Sequence, residues 1–263
     1  MHTIAVCSGK GGVGKTTVAL NLAILLSQMG KKVVLVDSDV TMANIGIALG
    51  IERAPISLHN VLSSENVVAD AVYEGPANLK YVPSGLSLEG LKKIDFSLFG
   101  PAIADLEKNA EFLIIDCPPG LEAPNQQVIK SAKELLLVTS PDPASLADAL
   151  KVKQFAARHG IKIAGVVVNR VRGSRDEVRQ SEIESLLGNV VVATIPEDPA
   201  VRTSTEKQSP LVLGNQGSPA GIALKKLAAA VSGEKIDGVN APETGKKGFL
   251  QAILESLFGK KNQ

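Results

Sequence analysis

Residues 3–17, Thr-Ile-Ala-Val-Cys-Ser-Gly-Lys-Gly-Gly-Val-Gly-Lys-Thr-Thr, decide the fold. The apolar run Ile4-Ala5-Val6-Cys7 reads as a buried strand. A loop with Gly11, Gly12 and Gly14 follows, and Lys15-Thr16-Thr17 opens an amphipathic helix carrying Val18, Leu22, Leu25 and Leu26. With Gly9 first and Gly14 last, the stretch fits G-x-x-x-x-G-K-[ST], a loop whose backbone N–H groups cradle phosphate oxygens. The helix N-terminus adds partial positive charge. Lys15 then reaches the β- and γ-phosphates, and the Thr16 hydroxyl holds Mg²⁺. An ordinary phosphate loop has no need of Lys10. By itself that lysine reads as a solvated loop residue, and the other readings are that it folds back on its own phosphates or points outward to another nucleotide.

Outward from this stretch, apolar runs alternate with helical patterns. Strands are expected at 3–7, 33–36, 79–82, 112–116, 135–139, 162–168 and 190–195, and helices at 16–29, 97–108, 144–159, 175–187 and 219–231. Most strands lack polar alternation, as when both sheet faces are covered. The alternation predicts an α/β fold: a doubly wound, mainly parallel sheet with helices on both faces. A ligand crevice belongs beyond the carboxyl ends of the strands.

Acids sit where such a crevice needs them. Val33-Val34-Leu35-Val36 delivers Asp37-Ser38-Asp39, and Phe112-Leu113-Ile114-Ile115 delivers Asp116, which suits a Mg²⁺ ligand acting through water. Val166-Val167-Val168 ends in Asn169-Arg170; Asn169 has a donor and an acceptor, enough either for an adenine edge or for a strand-end turn.

The string Lys10-Gly11-Gly12-Val13-Gly14-Lys15-Thr16 resembles the deviant phosphate loop of the MinD/ParA ATPases, and the resemblance covers nearly the whole chain. It implies a P-loop NTPase fold of deviant Walker A type, with ATP and Mg²⁺ as cofactors. It also implies an ATP-dependent sandwich homodimer, in which Lys10 crosses to the partner's ATP. Asp-x-Asp resembles the family's first switch: Asp39 would position or activate the attacking water, Asp37 would support the Mg²⁺ shell, and Asn44 matches a family asparagine. Cys117-Pro118-Pro119-Gly120 resembles the second switch, where Gly120 presents an N–H to the γ-phosphate. By the same resemblance Asn169 contacts the base, flanked by Arg170, and Pro196-Glu197-Asp198 form a second base loop. Asp148 lies where a family aspartate contributes to partner docking, the alternative being a solvated helix carboxylate; a regulatory protein that stimulates hydrolysis is a further partner the resemblance implies.

Composition narrows the classes. The 263 residues are 44% hydrophobic and 3% aromatic, enough for an aliphatic core, and the net charge of +1 gives no strong whole-body field for nucleic acid. Arg170, Arg172, Arg175 and Arg179 form a local basic cluster, the candidate DNA contact if the chain is instead a DNA-associated partition ATPase. Cys7 and Cys117 lie far apart in sequence, which argues against a disulfide framework and for buried thiols. No apolar run reaches the ~18 residues of a membrane span. The expected organisation is an ATPase domain over 1–231, a flexible linker over 232–245 and an amphipathic helix over 246–260. Phe249, Leu250, Ile253, Leu254, Leu257 and Phe258 share one helical face, with lysines at both ends. That face suits a membrane surface, docking back onto its own domain, or a partner's groove; it also resembles a membrane-targeting sequence of the family. The expected location is the cytoplasm, peripherally on the inner face of the cell membrane, in a cell-division or other positioning role.

Overall fold

Apolar runs without polar alternation become the centre of one sheet. The computed structural model describes residues 1–40, 44–51, 54–85 and 94–234. Among them the strands are β1 (His2–Cys7), β2 (Val33–Asp37), β3 (Tyr73–Glu74), β4 (Lys80–Val82), β5 (Phe112–Asp116), β6 (Glu134–Thr139), β7 (Lys162–Val171) and β8 (Val191–Pro196). The helices are α1 (Lys15–Gln28), α2 (Asn44–Ala48), α3 (Leu58–Leu62), α4 (Phe99–Glu107), α5 (Ala123–Lys130), α6 (Pro143–Arg158), α7 (Gln180–Leu187), α8 (Pro199–Glu206), α9 (Leu211–Gly214) and α10 (Pro219–Ser232).

The strand order is β3-β4-β2-β5-β1-β6-β7-β8, with the β3–β4 pair antiparallel and the other pairings parallel. β1 is central. The chain moves from β1 to β2 in one direction and from β5 to β6 in the other, so the carboxyl end of β1 lies where the winding reverses. Successive residues of each strand face opposite sides. Ile4 and Val6 join a core with α1 and α10, whereas Ala5 and Cys7 join a second core with α4, α5, α6 and α7. The doubly wound α/β expectation holds.

Several local expectations change. α1 is not an amphipathic surface helix: Leu20, Ile24 and Asn21 are as buried as Val18, Leu22 and Leu26. The reason is α10, which packs along its far side. Asn21 tolerates this because its Oδ1 accepts the Val212 N–H at 3.0 Å and its Nδ2 donates to the Thr17 carbonyl at 2.8 Å. The helix expected over 175–187 begins at Gln180. Before it, Glu177 accepts the N–H groups of Arg172 and Gly173 at 2.8 and 2.9 Å and folds residues 172–177 into a loop. α5 was hidden because only Val128 and Ile129 on it are buried apolar residues. Of the expected linker and tail, residues 235–263 lie outside the described residues, including Phe249, Leu250, Ile253, Leu254, Leu257 and Phe258.

Candidate nucleotide site

The loop between β1 and α1 is shaped by glycines with distinct reasons. Gly12 and Gly14 have φ of 80° and 95°, left-handed values that a side chain disfavours. Gly9 has a packing reason instead: a Cβ there would lie 2.2 Å from the Asp148 backbone of α6. The first α-helical bond of α1 runs from Val18 N–H to the Gly14 carbonyl at 3.0 Å, and no side chain caps the helix. The N–H groups of Lys15, Thr16 and Thr17 thus precede the ladder and suit an anion. Gly11, Gly12, Gly14, Lys15, Thr16 and Thr17 line a cavity of about 430 Å³ that Asp39, Asn44 and Arg170 also border.

Three carboxylates converge beside it. Asp37 and Asp116 are opposite one another in the β2–β5 register. Burial pushes the Asp116 carboxyl up to about 7 and Asp39 adds to this, against the Thr16 hydroxyl and the Lys15 ammonium, which hold it down. Its buried Oδ1 has no hydrogen-bond partner. Such an orphaned oxygen next to Thr16 and Lys15 fits a Mg²⁺ shell. Asp37 is different. Its oxygens accept the N–H groups of Asp39 and Ile45 at 3.2 and 3.1 Å, so it positions the turn bearing Asp39 and the start of α2. Burial, then the Asp116 charge, raises the Asp37 carboxyl well above the usual range. Among the described residues no group of three His, Cys, Asp or Glu side chains forms a metal cage. Mg²⁺ would take its remaining ligands from phosphate and water.

On the other wall, β7 carries an irregularity between Val168 and Val171. Arg170 sits there at φ 60°, a strained value for a residue with a side chain. The distortion aims Asn169 at the loop: its Nδ2 donates to the Val13 carbonyl at 2.7 Å, and a Cβ on Gly14 would lie 2.2 Å from that nitrogen.

A model of the CobQ/CobB/MinD/ParA nucleotide-binding domain matches residues 4–211. The chain belongs to the MinD/ParA family. The uncharacterised ATP-binding protein MJ0547 of Methanocaldococcus jannaschii is 37% identical over 98% of this chain and 97% of its own length. The cell division ATPase MinD of Pyrococcus furiosus superposes with a TM-score of 0.85 at 36% identity, covering 88% of this chain and 98% of that one. The septum site-determining protein MinD of Pyrococcus horikoshii, complexed with Mg-ADP, gives 0.84 at 35%, covering 88% and 95%. The expectation of a nucleotide and Mg²⁺ as cofactors agrees with that complex.

Placed in this MinD/ParA frame, the remaining residues divide. Exposed Lys10 does not border the 430 Å³ cavity; with Asp142, Arg170, Arg172 and Asp176 it lines a second cavity of about 540 Å³, which shares Gly11, Gly12 and Arg170 with the first. Burial would raise Asp142, but the Ser140 hydroxyl, the Ser145 N–H and hydroxyl, and the Lys10 charge bring it down to about 2. Gly120, at φ 80°, donates its N–H to the Ser8 carbonyl at 3.2 Å, so here that group faces the loop's root. Pro196, Glu197 and Asp198 share the sheet's carboxyl edge but do not border either cavity. Asp198 is a double cap, accepting Ala200 N–H at 2.9 Å and Ala220 N–H at 3.0 Å. Asp148 pairs with Lys151 at 2.8 Å. Sequence reasoning missed Asn125, whose Nδ2 donates to the Pro118 carbonyl at 2.9 Å and also to the Gly120 carbonyl. It also missed Ser204, Thr205 and Ser209, which wall the cavity from α8 and the turn after it. Polar side chains on an exposed helix carry no local signal that they face a ligand.

Proposed function

We propose that the chain is a Mg²⁺-dependent ATPase that dimerises on ATP, engages a membrane surface through its C-terminal segment and lets go on hydrolysis, in division-site placement or another positioning task. The reading is carried by the separation of the two loop lysines. Lys15 borders the cavity at the helix N-terminus, whereas exposed Lys10 lines the 540 Å³ cavity near Asp142, the position from which it would reach a phosphate presented by a facing molecule. A two-fold dimer makes that exchange reciprocal.

Within a protomer the N–H groups of residues 11–17 bind phosphate and Lys15 balances its charge. Asn169 joins the base side to the loop, and Arg170 borders both cavities. Thr16 and Asp116 would hold Mg²⁺, which would neutralise phosphate charge. Asp39, positioned by Asp37, orients the attacking water and takes its proton. Gly120 changes partner from the Ser8 carbonyl to the γ-phosphate. One amphipathic tail binds a bilayer marginally; two on a dimer gain by effective concentration.

Co-sedimentation with anionic liposomes and, in parallel, with DNA, in ATP and in ADP, tests this. The expected result is liposome retention in ATP, lost in ADP and on deletion of residues 246–263. Equal retention in ADP, or retention without the tail, refutes the membrane cycle. Salt-sensitive DNA retention in ATP would instead support a partition ATPase, for which exposed Arg170, Arg172, Arg175 and Arg179 are the candidate contacts.

A further inference from the structure

The two cysteines, 110 residues apart in sequence, meet in the fold. Val6 and Asp116 are register partners, so Cys7 and Cys117 continue from adjacent parallel strands, and the Cys117 N–H donates to the Val6 carbonyl at 3.2 Å. Both side chains face the same core, both are unbonded thiols, and the sulfurs are 2.8 Å apart. Neighbouring strands ~4.7–4.9 Å apart match the Cα separation that disulfides use, about 4.4–6.8 Å. Both thiols are buried, Cys7 wholly and Cys117 at 2% exposure, and burial pushes the Cys117 thiol above the ordinary range. Cys117 is the one of the two that borders the 430 Å³ cavity, so access through that cavity, not thiol acidity, sets the order. The pair sits at two roots: Cys7 precedes the phosphate loop, and Cys117 opens the turn that carries Gly120.

We propose that Cys7 and Cys117 are a redox modification site, closed into an intramolecular disulfide by a peroxide that enters through the nucleotide cavity. The Cys117 sulfur attacks a peroxide oxygen. The O–O bond breaks, and the departing hydroxide leaves as water with the thiol proton, giving a sulfenic acid. The Cys7 sulfur then attacks the sulfenic sulfur; the S–S bond forms, the S–O bond breaks and a second water leaves with the Cys7 proton. Two electrons pass from the sulfurs to the peroxide. The bond ties the root of the phosphate loop to the root of the turn, where the Gly120 N–H already meets the Ser8 carbonyl. Its effect on turnover, which rests on the ATPase reading, is to hold Gly120 away from the γ-phosphate. Reversible disulfides of this kind in reducing compartments are regulatory rather than structural.

The test uses the reduced full-length chain, treated with hydrogen peroxide alone or with Mg-ADP, then denatured, alkylated and analysed by peptide mass. The expected product is a crosslink between the Cys7 and Cys117 peptides, reversed by dithiothreitol and formed several-fold more slowly with Mg-ADP. Thiols that both remain alkylatable, or a product joining two chains, overturn the proposal. A rate indifferent to nucleotide overturns the entry route. Cys7→Ser should stop at a sulfenic acid on Cys117, trapped by dimedone, and Cys117→Ser should leave Cys7 unoxidised; a dimedone adduct on Cys7 reverses the assigned order. ATP turnover of the oxidised wild type should fall several-fold and recover with dithiothreitol, whereas Cys7→Ser should show an oxidised-to-reduced ratio near one. Unchanged turnover despite a complete crosslink refutes the coupling to Gly120. If the crosslink forms but the reduced protein never hydrolyses ATP, the ATPase reading fails while the thiol pair stands.

Discussion

The Asn169 side-chain amide donates to the Val13 carbonyl at 2.7 Å, across 156 residues of sequence. This bond joins the end of β7 to the phosphate loop and presses against Gly14, where no side chain fits. Asn169→Ala leaves a buried carbonyl without its donor, which costs about 1–3 kcal/mol. Loop order and nucleotide affinity should fall together. Urea denaturation and fluorescent-nucleotide titration check this; an unchanged denaturation midpoint with unchanged affinity would show that the bond is dispensable.

The two lysines should separate in mutagenesis. Lys15→Ala removes the cation beside the phosphates and should weaken nucleotide binding by at least tenfold, or ~1.4 kcal/mol. Lys10→Ala should change monomer affinity by only a few-fold and abolish ATP-driven dimers. Analytical ultracentrifugation in ATP decides: dimers that persist in Lys10→Ala place this residue outside any interface.

Asp116 gives a pH dependence with a definite sign. Its folded-state carboxyl lies at about 7 against an ordinary 3.8. Between those values the folded, nucleotide-free protein binds more protons than the unfolded chain, so stability falls as pH rises through that window. The Asp116 contribution to the melting temperature without nucleotide should therefore decline from pH 5 to pH 7.5, beside a same-signed contribution from raised Asp37 and an opposite one from lowered His59. Asp116→Asn should tilt the profile upward relative to wild type. Mg²⁺-nucleotide selects the ionised carboxylate, so its affinity should rise over the same interval. Calorimetric titration at several pH values measures that slope, and an affinity that falls with pH contradicts the assignment.

Gly9 and Gly12 should respond differently to alanine. A Cβ at Gly9 strikes the Asp148 backbone, whereas a Cβ at Gly12 meets no atom within 4 Å but sits at φ 80°. Gly9→Ala must push the loop's root off α6, an overpacking cost of about 1–3 kcal/mol. Gly12→Ala carries only a left-handed backbone cost of about 1–2 kcal/mol, without a clash. Thermal melts should rank Gly9→Ala as the less stable, and melts in the reverse order would rule out the packing account.

Local pattern by itself determined the strand runs, the phosphate loop, the acid Asp116 at a strand end and Asp39 just past one, and hence the α/β class. These are legible because strand period, glycine spacing and Gly-Lys-Thr act over a few residues. Only the tertiary structure decided that α1 is enclosed by α10, that Asp37 holds backbone rather than facing the cavity, and that Asp198 caps two helices. Strand order decided the rest. Placing β5 and β6 on either side of β1, and β7 beyond β6, carries Cys117 to Cys7 and Asn169 to Val13. Contacts between residues more than 100 apart depend on which strands pair, and no short-range spacing encodes that. Lys10 shows both levels at once: its position before Gly11 makes it unusual in sequence, and in the fold it lines the 540 Å³ cavity and not the one bordered by Lys15.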